Sequence, residues 1–554
     1  MTDPDRLHAG APPSGGPATG RDAVRAAALA LGLALAYSAN GDFLPGNDAT
    51  PNVYLAAQVL NGGGLSFTPS GAPHLFEWTL RTPAGPSYHR VRDLDERVAG
   101  SPARDLYRRG LLVPTAPYYL GESVRSDPVS GERVHVGLFG VGAALSAVPL
   151  LAPVRAVAGD LVRSPAALWY GAKVAASLLA AGSAAFVFLL VRRWLSPAWA
   201  LALAAAYGLG TPVWSTSSQS LWQHASNELF LAAGAFFLAR GRGGVRDAAL
   251  AGVAFAAATA CRPTSALFSV AAAGWLLLVD RRALAGFVAG SLPIALALAG
   301  YNWHFLGSPL RFGQGTAHAV ALAKTGSPDL WRSQAWTAAA GLFASPSRGL
   351  LVFSPFLALA FPSAVAAFRR PEYRAMRPLA IGGLLVLAVD VAWFDWWGGW
   401  SYGWRRLVDL APVLTLLVVP AVPAIARTRW RTAAFAGAVG WAVLLQGAGA
   451  FAYDLWGWNA RTGWRLRIPS GREIVALDPQ EASAAASGGA AVLGTVTLDV
   501  DRPEHRHRLW SLEDNPIAYY LANFGAARRS RGAGVEQWLD RWRPPPPGPG
   551  STPR

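Results

Sequence analysis

Long apolar segments alternate with short polar ones from residue 23 to residue 452. A helix of about 20 apolar residues spans the hydrocarbon core of a bilayer. Eleven segments approach that length and predict membrane-spanning helices, some of them short or interrupted by Gly and Pro. They are 23–39, 166–191, 197–213, 227–239, 247–261, 265–280, 284–302, 349–367, 378–394, 409–426 and 432–452. The pattern predicts an all-α polytopic membrane protein.

The remaining chain divides into polar or mixed regions. Residues 1–22 are rich in Pro, Gly and Ala, and predict a disordered N terminus. Residues 40–165 separate the first two spans and form the longest connection. Residues 453–541 predict a small C-terminal region with one short strand and one helical piece, and the Pro-rich 542–554 predicts a disordered tail.

Arginine decides the orientation, because positively charged loops stay on the cytoplasmic side of a membrane. Loops rich in arginine alternate with loops that are poor in it, and two spans separate each rich loop from the next. The rich loops are 192–193, 240–246, 281–282, 369–377 and 427–431. Since Arg21 and Arg25 precede the first span, the N terminus is predicted to be cytoplasmic and the C terminus extracytoplasmic.

One further apolar run, 137–158, conflicts with this orientation if it crosses the membrane. A crossing there would place the N terminus and the arginine-rich loops on opposite sides. We therefore expect an irregular interfacial or re-entrant segment on the outer side. The region 40–165 then becomes one large extracytoplasmic loop carrying surface helices, in a plasma or inner membrane protein with eleven crossings.

Composition limits the class of protein to which this chain can belong. The chain has 554 residues, of which 52% are hydrophobic and 15% charged, too apolar a composition for a soluble protein of this length. The net charge of +16 could indicate nucleic acid. Because the arginines fall mostly at span ends, we expect no nucleic-acid partner. Cys261 is the single cysteine, which excludes a disulfide within the chain.

Asp48 follows the first span in "GNDATPNVYLAAQVLNGGG". Thr50 and Pro51 read as an N-cap and a first helical residue, which predicts a short helix on the membrane surface. Asp48 is then either a capping or loop acid beside the helix dipole, or a general base that takes a proton from an acceptor hydroxyl at the outer face. Asp42, at the span end, is the weaker candidate.

The second outer loop, "TPVWSTSSQSLWQHASNELF", is short, lacks basic residues and concentrates aromatic and polar side chains. Trp222 and His224 are either interface anchors or a platform for a sugar ring and its hydroxyls. His224 and Glu228 share a helix face and could form a structural pair. Two such residues make only a weak case for a metal site.

Arginines recur at the outer ends of spans. Arg262 follows a span in "ACRPTS", Arg348 lies in "SPSRGLLVFSP", and Arg405 and Arg406 lie in "WWGGWSYGWRRLVDLAP". A guanidinium at this depth either snorkels to the interface or binds a lipid phosphate with its bidentate fork. Asp409 is expected to neutralise one member of the 405–406 pair.

These motifs, with "ND-ATPNVYLAAQVLNGGGLSF" and "YNWHFLGSPL", resemble the type C membrane glycosyltransferases, most closely the protein O-mannosyltransferase-like and aminoarabinose-transferase-like branch. The resemblance covers most of 22–452. It implies an inverting enzyme that moves a sugar from a polyprenyl-phosphate donor to a hydroxyl of a glycan, lipid or protein.

The resemblance also implies residue roles. Asp48 falls at the catalytic position, and arginine or a divalent metal balances the leaving phosphate, although nothing in the sequence requires a metal. The candidate substrate-binding residues are Tyr54, Trp222, His224, Arg348, Tyr402, Arg405 and Arg406.

Two other classes compete with this reading. A polytopic transporter or lipid-linked glycan flippase places acids inside broken spans, and Asp390 is such an intramembrane acid. A non-catalytic membrane scaffold that binds lipid-linked glycans is the third. The large outer loops favour the enzyme.

Overall fold

The computed structural model describes residues 20–83, 85–115, 119–240, 244–331, 333–477 and 479–543. Most of the predicted disordered ends, 1–19 and 544–554, lie outside these residues. The predicted boundaries of both ends are wrong by a few residues, because the first helix begins at Gly20 and the last continues through Trp542, which is buried.

Twenty-one α-helices form the body of the described chain. They are α1 Gly20–Ser38, α2 Thr50–Leu60, α3 Ala103–Arg108, α4 Val141–Ala158, α5 Pro165–Val191, α6 Pro197–Gly210, α7 Gln223–Arg240, α8 Val245–Cys261, α9 Ala266–Val279, α10 Arg281–Leu306, α11 His318–Thr325, α12 Ala335–Ala344, α13 Leu350–Phe353, α14 Ala360–Arg369, α15 Arg377–Ala392, α16 Ala411–Val418, α17 Val422–Ile425, α18 Arg429–Ala452, α19 Pro479–Ser487, α20 Pro516–Ala522 and α21 Phe524–Trp542.

Local sequence explains where several helices start and stop. The Asp280 side chain accepts hydrogen bonds from the backbone N–H groups of Arg282 and Ala283, which caps α10. Gly307 ends the same helix with a φ of 78°, a conformation that costs glycine little. Ser196 caps α6 through the N–H of Trp199. At these two helices, flanking residues therefore satisfy some of the free backbone groups.

All eleven predicted spans fall on helices, some of them broken by 3₁₀ turns. Six helical stretches of the described chain are long and apolar enough to cross a membrane by length and composition. They are Val141–Ala158, Pro165–Val191, Arg281–Leu306, Pro371–Ala392, Arg405–Ile425 and Arg429–Ala452. The predicted total of eleven crossings stays a prediction.

The arginine-rich loops meet at one end of the helix bundle. Arg192, after α5, pairs with Asp22 at the start of α1 at 3.3 Å. Trp194 Nε1 donates to the carbonyl of Glu372 at 2.8 Å, and Arg193 donates to the carbonyl of Arg240 at 3.2 Å. Loops predicted to share the cytoplasmic side are thus neighbours in space.

Helices α1 and α5 are antiparallel neighbours, since Lys173 near the start of α5 donates to the Tyr37 carbonyl near the end of α1. Residues 39 and 164 therefore lie at the same end of the bundle, about 40 Å along α5 from the arginine-rich end. The chain between them makes no net crossing. This end is called the outer end below, because the arginine-rich loops lie at the other, and the extracytoplasmic position of 40–165 stays a prediction.

Helix α4 lies along that end. Gly140, just before it, contacts the carbonyls of Ala260 and Cys261 at the end of α8. At its other end Arg155 donates to Asn61 Oδ1 at 3.1 Å, directly after α2. The segment is a regular 18-residue helix that includes two prolines, so the expectation of an irregular backbone is wrong.

A reporter fusion tests this topology. We expect a periplasmic-type reporter, alkaline phosphatase, to be active when fused after residue 160, since both ends of α4 contact outer residues. The same reporter fused after residue 281 serves as the control and should be inactive. Activity of a cytoplasmic reporter fused after residue 160 would show that α4 crosses the membrane.

In the described residues, ten short strands accompany the helices, all in 40–165 or after residue 453. The all-α prediction misses the β-rich insert between α2 and α4, whereas the C-terminal strand was expected. The strands are β1 Glu77–Thr82, β2 Gly85–His89, β3 Arg97–Val98, β4 Ser101–Pro102, β5 Leu112–Thr115, β6 Leu120–Ser126, β7 Arg133–Gly137, β8 Ala460–Arg467, β9 Glu473–Ala476 and β10 Ala491–Asp499. They pair antiparallel as β2-β1-β5, β3-β4, β6-β7 and β10-β8-β9.

The C-terminal region returns to the bundle after its sheet. Helix α21 packs against α18 and α5, and the Arg531 guanidinium donates to the carbonyl of Tyr453 and to Gln219 Oε1, both at 3.0 Å. The region thus contributes directly to the outer face of the bundle.

Candidate functional site

A cavity of about 1110 Å³ opens at the outer end of the bundle. The residues around Asp48 form one wall, with the start of α7 and the end of α8 beside them. The loop 310–331, the segment 393–406 and the C-terminal region close the other sides. Six separate parts of the sequence therefore meet around one space.

Asp48 and Arg405 line this cavity and form one cluster with Trp222, which is buried beside them. Trp222 Nε1 donates to Asp48 Oδ1 at 2.8 Å. The Arg405 guanidinium donates to Asp48 Oδ2 and lies 4.3 Å from the centre of the Trp222 ring. Both oxygens of the carboxylate are thereby oriented, and the charge of the acid is balanced. Three separate predicted site residues thus come together.

Gly46 makes this cluster possible. A Cβ at that position would lie 3.0 Å from Asp48 Oδ1 and 3.2 Å from Trp222 Nε1. These distances are tighter than ordinary carbon contacts, so a side chain would push the carboxylate and the indole apart. The glycine therefore allows the backbone to approach the hydrogen bond that fixes Asp48.

The alternative reading of Asp48 as a helix cap fails in the structure. Ala49 occupies the N-cap position of α2, and no side chain caps the helix. Thr50 Oγ1 donates to the Gly46 carbonyl at 3.1 Å, so the predicted N-cap role of Thr50 is also wrong. The first eight residues of α2 are all buried, which makes it an embedded helix and not a surface one.

His224 faces the same cavity but has a different partner from the one expected. Its Nδ1 lies 3.0 Å from Asp409 Oδ2, and Asn227 Nδ2 donates to Asp409 Oδ1 at 2.7 Å. Arg262 also donates to Asp409. Asp409 was predicted to neutralise Arg405 or Arg406, and this is wrong, because α7 and the end of α8 supply its partners.

A chain of alternating charges runs along the cavity. Its order is Arg262, Asp390, Arg406, Asp395, Lys324 and Asp501, and the distances between successive partners are 3.5, 2.9, 4.0, 3.0 and 3.3 Å. Burial alone would lower the pKa of Lys324, but the neighbouring Asp501 and Asp395 hold that pKa above its ordinary value.

Four of the predicted substrate-binding residues do not line the cavity: Trp222, which contacts Asp48 and Arg405 at its wall, and three others. Tyr54 is buried against the rings of His74 and Trp542. Tyr402 is buried and donates to the Leu445 carbonyl at 2.9 Å. Arg348 is buried outside the cavity and donates four hydrogen bonds to nearby oxygens, so it shapes the chain around it.

The partners of Arg348 show that role clearly. They are the carbonyls of Ser347, Trp397 and Gly399 and the Oδ1 atom of Asn459, at 2.8 to 3.2 Å.

Glu228 is not paired with His224. It is fully buried and accepts a hydrogen bond from Ser217 Oγ at 2.6 Å. Among the residues that the structure describes, no three side chains of His, Cys, Asp or Glu converge where they could hold a metal ion. The positive charges of the cavity belong to arginine and lysine side chains.

The sequence did not predict several of the residues that line the cavity. Lys324, Asp395 and Asp501 come from different loops, and their pairing is not visible in the sequence. Arg531 on α21 also lines the cavity. One signal was present in the sequence: Lys324 is one of only two lysines, and it lies in a loop assigned to the outer side.

Comparison with known proteins gives one similarity. No family model and no curated protein matches the chain. The structure is similar to the crystal structure of ArnT from Cupriavidus metallidurans bound to undecaprenyl phosphate, with 12% sequence identity and a TM-score of 0.37. The match covers 78% of this chain and 76% of the other. At this level of similarity nothing about function follows from it.

Proposed function

We propose that this protein is a membrane glycosyltransferase that moves a sugar from a polyprenyl-phosphate-linked donor to an acceptor hydroxyl on the extracytoplasmic face. The single observation that carries the proposal is the cluster of Asp48, Trp222 and Arg405 in a cavity that also holds Arg406, Arg262 and Lys324. A candidate base and a set of cations thus share one space at the outer end of the bundle.

The proposed reaction is a single displacement. The acceptor hydroxyl gives its proton to Asp48 as its oxygen bonds to the anomeric carbon of the sugar. The bond from that carbon to the phosphate oxygen breaks, and its electron pair leaves with the polyprenyl phosphate. One displacement inverts the anomeric configuration.

The cations provide the charge balance for the leaving group. Polyprenyl phosphate gains negative charge as it leaves, and guanidinium groups bind phosphate oxygens in a bidentate geometry. Arg405 and Arg406 line the cavity and are already held in place by Asp48 and Asp390. Trp393 and Leu330 add an apolar part to the cavity, which suits the first isoprene units.

The transporter alternative loses its main support. Asp390 is a buried acid near the outer end of α15, but it lies 2.9 Å from Arg406 and 3.5 Å from Arg262. Its charge is neutralised within the wall of the outer cavity, so it is not an isolated acid on a transport path.

A transfer assay tests the proposal. Purified protein in nanodiscs is incubated with ¹⁴C-labelled polyprenyl-phosphoryl mannose, glucose or arabinose, and a cell-envelope extract supplies the acceptor. We expect one donor to be cleaved, with release of polyprenyl phosphate and inversion at the anomeric carbon. UDP-[¹⁴C]glucose serves as the control and should not react. Movement of intact labelled donor across vesicle membranes without cleavage would favour the transporter instead.

A further inference from the structure

Most cations of the cavity have a carboxylate partner. Arg405 pairs with Asp48, Arg262 with Asp409 and Asp390, Arg406 with Asp390, and Lys324 with Asp395 and Asp501. Among the described cavity residues, Arg311, Arg531 and Arg541 have no carboxylate within 4.0 Å. Two of these three belong to α21.

One face of α21 lines the cavity. Five of its residues line the cavity. Successive ones are 1, 3, 4 and 3 positions apart, which follows the helical period and places them in one stripe. Arg531 and Arg541 lie about 15 Å apart along the helix axis. A Cβ on Gly534, between them, would meet no other atom within 4 Å, so open space adjoins the middle of the stripe. The residues are Ser530, Arg531, Gly534, Trp538 and Arg541.

Arg531 is a buried cation with no carboxylate within 4.0 Å among the described residues. It is 1% exposed, its terminal nitrogens donate to two carbonyls and to Gln219 Oε1, and its Nε has no partner. Burial lowers its pKa to about 10, even with Asp42 and Asp454 nearby. Asp454 is engaged elsewhere, because Tyr520 OH and Ser530 Oγ donate to its two oxygens.

A second buried cation lies behind Arg531. Lys173 donates to the carbonyls of Tyr37 and Ser218 at 2.7 and 2.8 Å, and no described carboxylate lies within 4.0 Å of it. Ser218 directly precedes Gln219, which binds Arg531. The charge of Asp42 acts on both Lys173 and Arg531, so the anion-binding capacity of this face rests on Arg541 and on the unpartnered Nε of Arg531.

Arg541 leaves its guanidinium available. It lies over the rings of Trp538 and Trp542 at 5.5 and 5.4 Å, and among the described residues it forms no ion pair or hydrogen bond. A guanidinium that is oriented by stacking, without a partner for its N–H groups, is well suited to bind an anionic oxygen.

We infer that this face of α21 is an anion subsite for the acceptor, and that the acceptor carries a phosphate or carboxylate group. The inference rests on the proposed transfer reaction. The charge chain and the α21 face both line the cavity that contains Asp48 and Arg405. Negative charge on the acceptor would bring its hydroxyl toward Asp48.

Equilibrium binding tests the subsite without requiring transfer. Full-length protein in nanodiscs is titrated at low salt with [³²P]glycerol 3-phosphate, with unlabelled glycerol as the neutral competitor. We expect Arg541→Gln to weaken binding of glycerol 3-phosphate about tenfold, because one charge near the anion is lost. Glycerol should not compete. Arg529→Gln, on an exposed part of the same helix outside the cavity, is the matched control and should bind normally.

Arg531→Gln provides a second variant, with the same expected tenfold loss. Polyprenyl phosphate without sugar is the second probe, and its affinity should not change in Arg541→Gln. Equal binding of glycerol 3-phosphate by Arg541→Gln and Arg529→Gln would overturn the inference. A selective loss of polyprenyl phosphate affinity in Arg541→Gln would overturn it as well, because α21 would then hold the donor. Neither outcome depends on whether transfer occurs.

Discussion

Replacing Asp48 by Asn is expected to lower the rate of sugar transfer about 10³-fold, since a positioned general base contributes roughly 10² to 10⁴. Asparagine has the same shape and keeps an oxygen for Trp222 Nε1, but it cannot accept the proton of the acceptor hydroxyl. It also leaves Arg405 without its ion pair. The variant should therefore bind the polyprenyl-phosphate donor and fail to convert it. Donor binding and single-turnover transfer, measured on the same preparation, separate the two effects.

Asp95→Asn is the matched control, because it makes the same change in the same region, 40–165. Asp95 lies at the surface and does not line the cavity in the described structure, so its variant should transfer sugar at the rate of the unchanged protein. Equal rates for Asp48→Asn and Asp95→Asn would remove Asp48 from the catalytic role. A variant that loses donor binding together with transfer would assign Asp48 to binding instead.

The sequence was most informative about the helices and about which loops lie together at one end of the bundle. Both depend on strong local signals, namely apolar runs and arginine at span ends. The β-rich insert gave a weaker signal, because strands of two to seven residues with polar faces have no long periodicity. The C-terminal strand was easier to predict, since "AVLGTVTLDV" contains several β-branched residues.

Individual site residues were predictable only where composition was unusual. Asp48 and Arg405 stand out because charges are rare among apolar segments, and the structure places them in contact. Tyr54, Arg348 and Tyr402 are of residue types that also line the cavity, but their side chains pack elsewhere in the protein. The partners of Asp409 lie on α7 and at the end of α8, far from Asp409 in the sequence, so no local pattern could reveal them.

The pairing of Asp409 with Arg262 predicts a large effect on stability. Both residues are buried, and breaking a buried ion pair by removing one partner typically costs about 3–5 kcal/mol. Asp409→Asn removes the negative charge that Arg262 and His224 share, and leaves Arg262 only Asp390, at 3.5 Å. We expect a clearly lowered thermal unfolding midpoint in nanodiscs. Arg262→Gln should act in the same direction.

The double variant distinguishes a specific pair from two independent losses. If the two charges stabilise each other, Asp409→Asn with Arg262→Gln should lower the midpoint less than the sum of the two single changes, because neither charge is then left buried alone. Asp95→Asn is the control: Asp95 pairs with Arg104 at the surface at 2.9 Å, where such a pair contributes about 0–1 kcal/mol. A midpoint for Asp409→Asn equal to that of Asp95→Asn, or strictly additive single changes, would show that the buried pair does not hold α7, α8 and the 405–410 segment together.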